Sequence, residues 1–113
     1  EGESATKASR TMIRQLEEDQ KRRSKRALTD AIDRALIDLL AIYRDVLMVQ
    51  VGGDGELINT DLSDLVHEIA QDSAPRQTLA RVDHIETARK RLVSNGNPLL
   101  VLEDMAISLR PQA

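Results

Sequence analysis

Residues 27–51, ALTDAIDRALIDLLAIYRDVLMVQV, decide the fold class. Leu28, Ile32, Ala35, Leu36, Leu39, Tyr43, Val46 and Leu47 recur at steps of three and four, the period of one helix face. Arg34, Asp38 and Asp45 fall between those steps. A second, narrower apolar line runs through Ile37, Leu40, Ala41 and Met48. An amphipathic surface helix needs one stripe, and this segment carries nearly two. It is therefore expected to be the helix against which the others pack, with apolar surface left over for a partner.

Working outward, the segment ends at Gly52-Gly53, and Asp54-Gly55 adds a turn signal. These glycines follow a helix rather than a strand, and no Gly-Lys-Ser/Thr comes after them, so they do not make a phosphate-cradling loop. Asn59, Thr60 and Asp61 are helix-capping residue types. Leu62, Leu65, Val66 and Ile69 form the stripe of a second helix that stops before Pro75. Proline at 75 suits the first turn of a third helix, predicted to bury Leu79, Val82, Ile85, Ala88 and Leu92. Asn95-Gly96 closes it, and Asn97-Pro98 opens a last helix with Leu99, Leu102, Met105, Ala106 and Leu109 inward. Pro111 lies beyond its end. No run alternates with period two. The prediction is an all-α bundle of four to five helices led by one long amphipathic helix, doubling back at the short connections 74–75 and 96–97.

Toward the amino end, residues 10–26 favour helix, with Met12, Ile13 and Leu16 giving one apolar turn. Glu17 precedes Lys21, and Glu18 precedes Arg22, by four residues in the favourable order. Gln20 to Arg26 holds no large apolar residue and reads as an exposed basic lead-in, continuous with the long helix or broken near Ser24. Residues 1–9, EGESATKAS, read as a linker or a chain end. With no initial methionine, they suggest a piece of a longer protein whose remaining part would carry any activity. Residues 27–113 are then the folded helical domain.

The 113 residues suffice for one domain with a single aliphatic core, since Phe, Trp and Cys are absent. Disulfides and thiolate metal sites are excluded. Tyr43 is the only aromatic residue, which argues against stacking of single-stranded bases. No apolar run reaches the ~20 residues of a membrane span, and no signal peptide is evident, so a cytoplasmic location is expected. The net charge of −3 conceals an asymmetry. Residues 7–26 carry eight Lys or Arg against three acids, whereas residues 27–113 carry eight against fourteen. The basic block Lys21, Arg22, Arg23, Lys25 and Arg26 offers phosphate contacts or, equally simply, a solvated helix face.

No catalytic group stands out. His67 and His84 lie on different predicted helices without metal-ligand spacing. A two-histidine site with Glu68 or Asp83 is conceivable, but surface histidines are commoner. Asp33, Asp38 and Asp45 read as the solvated side of the long helix. The serines lack a nucleophile-elbow context. Catalytic, cofactor and metal sites are all expected to be none.

The run Ala88-Arg89-Lys90-Arg91-Leu92-Val93-Ser94-Asn95-Gly96-Asn97-Pro98-Leu99-Leu100-Val101-Leu102-Glu103-Asp104-Met105 resembles the closing segment of the delta-prime subunits of the bacterial DNA polymerase III clamp loader. In that family a helix ending Leu-x-x-Asn-x-x-Pro/Asn leads into a final helix written Leu-Leu-x-Leu-Glu-x-Met/Leu. The block Arg22-Arg23-Ser24-Lys25-Arg26-Ala27, the run Asp30 to Leu39 and Tyr43-Arg44-Asp45-Val46-Leu47 are similar to actinobacterial chains of this type. Thr78-Leu79-Ala80-Arg81-Val82-Asp83-His84-Ile85 fits the approach to the last two helices. The gamma/tau subunits have a related helical domain, and the Tyr-Arg-Asp and Asn-Gly-Asn-Pro features favour delta-prime.

The resemblance implies a collar domain, one of five that form a ring from which the ATPase-like modules hang, in a loader that places the sliding clamp on primed DNA. It implies gamma/tau and delta subunits as partners, DNA only through the assembly, no membrane and no cofactor. Neither periodicity nor composition shows this. The expected subunit interface is the second stripe, Ile37, Leu40, Arg44 and Met48, for which ordinary core is the competing reading. The alternatives are a gamma/tau collar or a small nucleic-acid-binding module acting through residues 21–26. A small helical enzyme or metal protein is a weaker third.

Overall fold

The computed structural model describes residues 2–53, 55–94 and 97–110. Helix α1 runs unbroken from Gly2 to Gln50. It is followed by a 3₁₀ turn at Thr60–Leu62 and by α2 (Ser63–Asp72), α3 (Pro75–Val93) and α4 (Pro98–Ser108). No strand occurs among the described residues. The fold is all-α, as the periodicity requires, but residues 2–9 are helical too, and there is no break at Ser24.

The core gathers around the carboxyl half of α1. Ile32, Leu36 and Leu40 meet Ile85, Ala88 and Leu92 of α3 and Val101 and Met105 of α4, with Tyr43, Val82, Leu102 and Leu109 packed at the margin. Val46 and Val66 are fully buried on α1 and α2. Before Thr29 every described residue of α1 is exposed except half-buried Asp19. More than half of α1 therefore stands clear of the bundle, and the molecule measures 77 × 29 × 19 Å. The Met12, Ile13 and Leu16 turn is exposed along its length and has no packing partner among the described residues.

Three stripes differ from the expected ones by a small rotation. On α1, Leu28 and Ala35 are exposed, whereas Leu40 turns inward. On α3 the buried line is Thr78, Ile85, Ala88 and Leu92, and Leu79 faces out. The reason is a hydrogen bond: the Thr78 hydroxyl donates to Gln50 Oε1 at 2.7 Å, fixing that side of α3 against α1. On α4 the inward line is Pro98, Val101 and Met105, with Leu99 and Ala106 outside. Leucines nearly surround α4, so its apolar pattern alone does not select a face.

The boundaries follow local chemistry. Gly52 adopts φ +71°, the left-handed conformation that ends a helix with little cost only in glycine. Pro75 occupies the first turn of α3, and the Ala74 N–H donates to the Gln77 side chain at 2.7 Å. Asn97 Oδ1 accepts from the N–H groups of Leu99 and Leu100, capping α4 as predicted. The expected stops at Asn95-Gly96 and Pro111, and the Asp54 part of the turn signal, lie outside the described residues. Asn59, Thr60 and Asp61 do not cap α2 with a side chain. They lead into the 3₁₀ turn, and the Asn59 side chain is engaged elsewhere.

Candidate functional site

The residues expected at a subunit interface divide between outside and inside. Ile37 is 44% exposed and Arg44 is exposed, both on the outer side of α1. Leu40 is only 5% exposed and belongs to the core. Met48 is half-buried, and its side chain lies beneath the loop after α1. A Cβ built at Gly53 would stand 3.0 Å from Met48 Cγ, and one at Gly55 would stand 2.9 Å from its sulfur. The outward surface of the second stripe is thus Ile37 and Arg44. Leu79, Leu99, Leu100 and Ile107, on α3 and α4, are also more than half exposed.

The basic block lies on the projecting half of α1. Lys21, Arg22, Arg23, Lys25 and Arg26 are all exposed, and Arg22 pairs with Asp19 one turn earlier. Such a pair on an open helix contributes a few tenths of a kcal/mol, about 0.2–0.5. The geometry fits a solvated helix face as well as it fits phosphate contact.

The acids of α1 are not a uniform solvated side. Asp38 is exposed, but Asp45 is 1% exposed and holds the chain that returns from α1. Its Oδ1 accepts from the Ile58 N–H at 2.8 Å, and its Oδ2 accepts from the Asn59 N–H at 2.8 Å and the Asn59 amide at 3.0 Å. Burial pushes the carboxyl up, and these three hydrogen bonds together outweigh it and hold it below its ordinary value. Asp33 forms a forked pair with Arg89, at 2.8 Å to Nε and 3.3 Å to a terminal nitrogen, joining α1 to α3. Hydrogen bonding to that guanidinium lowers the Asp33 carboxyl against the opposing effect of burial, with charge attraction adding to the lowering.

Gln50 makes a second joint that no sequence pattern announces. Its amide donates to the Ser73 carbonyl at 2.9 Å and to the Ser73 hydroxyl at 3.1 Å, while its oxygen accepts from buried Thr78. One side chain thereby ties the end of α1 to the end of α2 and the start of α3. No buried side-chain polar atom among the described residues lacks a partner.

The histidines remain apart in role. His67 makes a local contact with the Ser63 carbonyl at 2.7 Å on α2, and His84 is exposed on α3. No cluster of three His, Asp or Glu side chains suited to a metal occurs among the described residues. No helix among them is long and apolar enough to cross a membrane.

Fold and polar chemistry together define a small all-α domain whose best-formed hydrogen-bonded groups join its own helices. The family model described as "DNA polymerase III, delta subunit, C terminal" matches residues 6–110, and the chain belongs to that family. It is also similar to the DNA polymerase III subunit delta' of Bacillus subtilis (strain 168), with 35% identity over 72 residues that cover 64% of this chain. The match covers 22% of that relative, so the matched part of the chain spans about a fifth of its length. No solved structure matches the chain.

Proposed function

We propose that this chain is the collar domain of a delta-prime-type clamp-loader subunit. Its role is to hold together, in the cytoplasm, the assembly that places the sliding clamp on primed DNA. The observation that carries this reading is the family match, which spans nearly the whole chain. The surface supports it as well. Large aliphatic side chains stand exposed on α1, α3 and α4, as they do on a domain whose faces are covered by neighbouring subunits.

In this reading gamma/tau and delta-type subunits are the ring neighbours, and DNA is met only through the assembly. Ile37 is the apolar anchor on α1 and Arg44 its charged rim. Leu40 supports that contact from the core, and Met48 from beneath the loop at Gly53. Any nucleotide chemistry lies outside these helices. A gamma/tau collar is the nearest alternative within the same reading.

The test is solution mass by light scattering, for this chain alone and mixed with the gamma/tau-type and delta-type subunits of the same organism. The expected result is a larger species in the mixture that is lost on Ile37→Glu while circular dichroism stays helical. Absence of any complex with all partners folded, in both this chain and its full-length parent, would remove the collar reading.

A second reading, direct nucleic-acid binding by Lys21, Arg22, Arg23, Lys25 and Arg26, draws on their common exposure on the free half of α1. It requires affinity for short DNA that falls steeply with salt. Flat or absent binding at low salt rejects it.

A further inference from the structure

The folded part of the chain is acidic, yet its basic residues are not spread evenly. Arg89 and Arg91 are paired with Asp33 and Asp104. Arg76, Arg81 and Arg110 instead line one cleft between α3 and α4, of about 410 Å³, together with Gln77 and His84. Among the described residues no carboxylate lines this cleft, and none of its three arginines forms an ion pair. Arg81 is held in place by Tyr43, whose ring centre lies 6.0 Å beneath the guanidinium. Gln77 accepts from Ala74 through its oxygen, which leaves its NH₂ group as a donor.

The cleft continues along the two helices. His84 and Ser108 line both it and the next depression, which extends to Arg91, Thr87 and Val101. From Arg76 to Arg91 the groove follows fifteen residues of α3, about 22 Å at the helical rise. That length accepts roughly six or seven residues of extended chain. Asp104, at the far end, is already engaged by Arg91 at 3.7 Å. Guanidinium groups spaced along a valley between helices are suited to carboxylates, which they bind by paired hydrogen bonds.

We propose that the α3–α4 groove is a docking site for an extended acidic peptide segment of a partner protein, with Arg76, Arg81 and Arg110 as the carboxylate-binding groups. A nucleic-acid strand fits less well. A duplex is too wide for a valley between two helices, and a single strand gains its affinity largely by stacking on aromatic rings. The only Phe, Tyr or Trp in the chain is Tyr43, which is half-buried and already carries Arg81, so the His84 imidazole is the one ring left to stack on in the cleft. The site stands independently of the collar reading.

The test uses a fluorescein-labelled heptaglutamate peptide and this chain at low salt, read by fluorescence anisotropy, with labelled oligothymidylate of equal charge as the parallel probe. The expected result is saturable peptide binding, weakened about tenfold or more in an Arg76→Gln, Arg110→Gln double variant. An Arg22→Gln, Arg26→Gln control on the free half of α1 should change it less than about twofold. Amide shifts in the unaltered protein should concentrate at Gln77, Ala80, His84 and Ser108, which decides the matter even if the double variant misfolds. Absence of saturable binding, equal loss in the control, or shifts centred on residues 21–26 would overturn the proposal. So would tighter, cleft-dependent binding of the oligothymidylate.

Discussion

Asp45 concentrates more consequence than any other single side chain. It neutralises two backbone N–H groups that would otherwise end a helix-to-helix connection without fixed partners. Asp45→Ala should lower stability by about 2–3 kcal/mol in urea unfolding, since charge-assisted hydrogen bonds are lost together. Asp45→Asn, which retains one acceptor oxygen, should cost about half as much. The pH dependence follows from the same geometry. The folded carboxyl titrates below its ordinary value of 3.8, so its stabilisation is complete above that value and is lost as the pH falls through the folded titration. Acid unfolding monitored by circular dichroism should therefore begin at higher pH in native protein than the residual acid sensitivity of Asp45→Asn, whose amide does not titrate. If the two acid profiles coincide in shape, Asp45 is not the group responsible.

At the scale of elements, α1 presents adjacent positions with opposite duties. Leu40→Ala should cost about 2–5 kcal/mol because a side chain 5% exposed leaves a cavity in the aliphatic core shared by α1, α3 and α4. Ile37→Ser should change the monomer by no more than about 0.5 kcal/mol while weakening assembly. Equal losses in chemical denaturation would show that the two positions share one environment. The contrast also explains what was readable in advance. The number of helices, their order, the stop at Gly52 and the Asn97 cap follow from local chemistry, which operates within a few residues. The rotation of each helix does not. Leu79 and Thr78 exchange places because Gln50, twenty-eight residues earlier, hydrogen-bonds Thr78. Asp45 likewise falls on the polar side of α1 by spacing alone, and only the returning chain at Ile58 supplies the donors that bury it. A resemblance carried by the order and spacing of motifs such as Tyr43-Arg44-Asp45 and Asn95-Gly96-Asn97-Pro98 identifies the family well, yet it leaves the outward face of each leucine-rich helix open.

For the whole molecule, the distribution of burial divides α1 into an anchored half and a free half. Deleting residues 2–26 should leave the cooperative unfolding midpoint of the bundle within about 2 °C, because no core side chain is removed. Limited proteolysis should accordingly cut between Lys7 and Arg26 before any site in α2 or α3. Early cleavage within α3 would contradict the assignment of the core.

A continuous helix also transmits direction. Each residue turns the chain by about 100°, so the azimuth of Met12, Ile13 and Leu16 relative to the bundle is set by a count of residues as much as by distance. Insertion of one alanine near Ser24 would lengthen the rod by only ~1.5 Å but swing that apolar turn by more than a quarter circle. Seven alanines would lengthen it by ~10 Å and restore the heading to within about 20°. Any ligand that grips the apolar turn and the bundle together must obey this phase. Binding abolished by one inserted residue and recovered by seven is its signature, as with two cogs fixed on one axle.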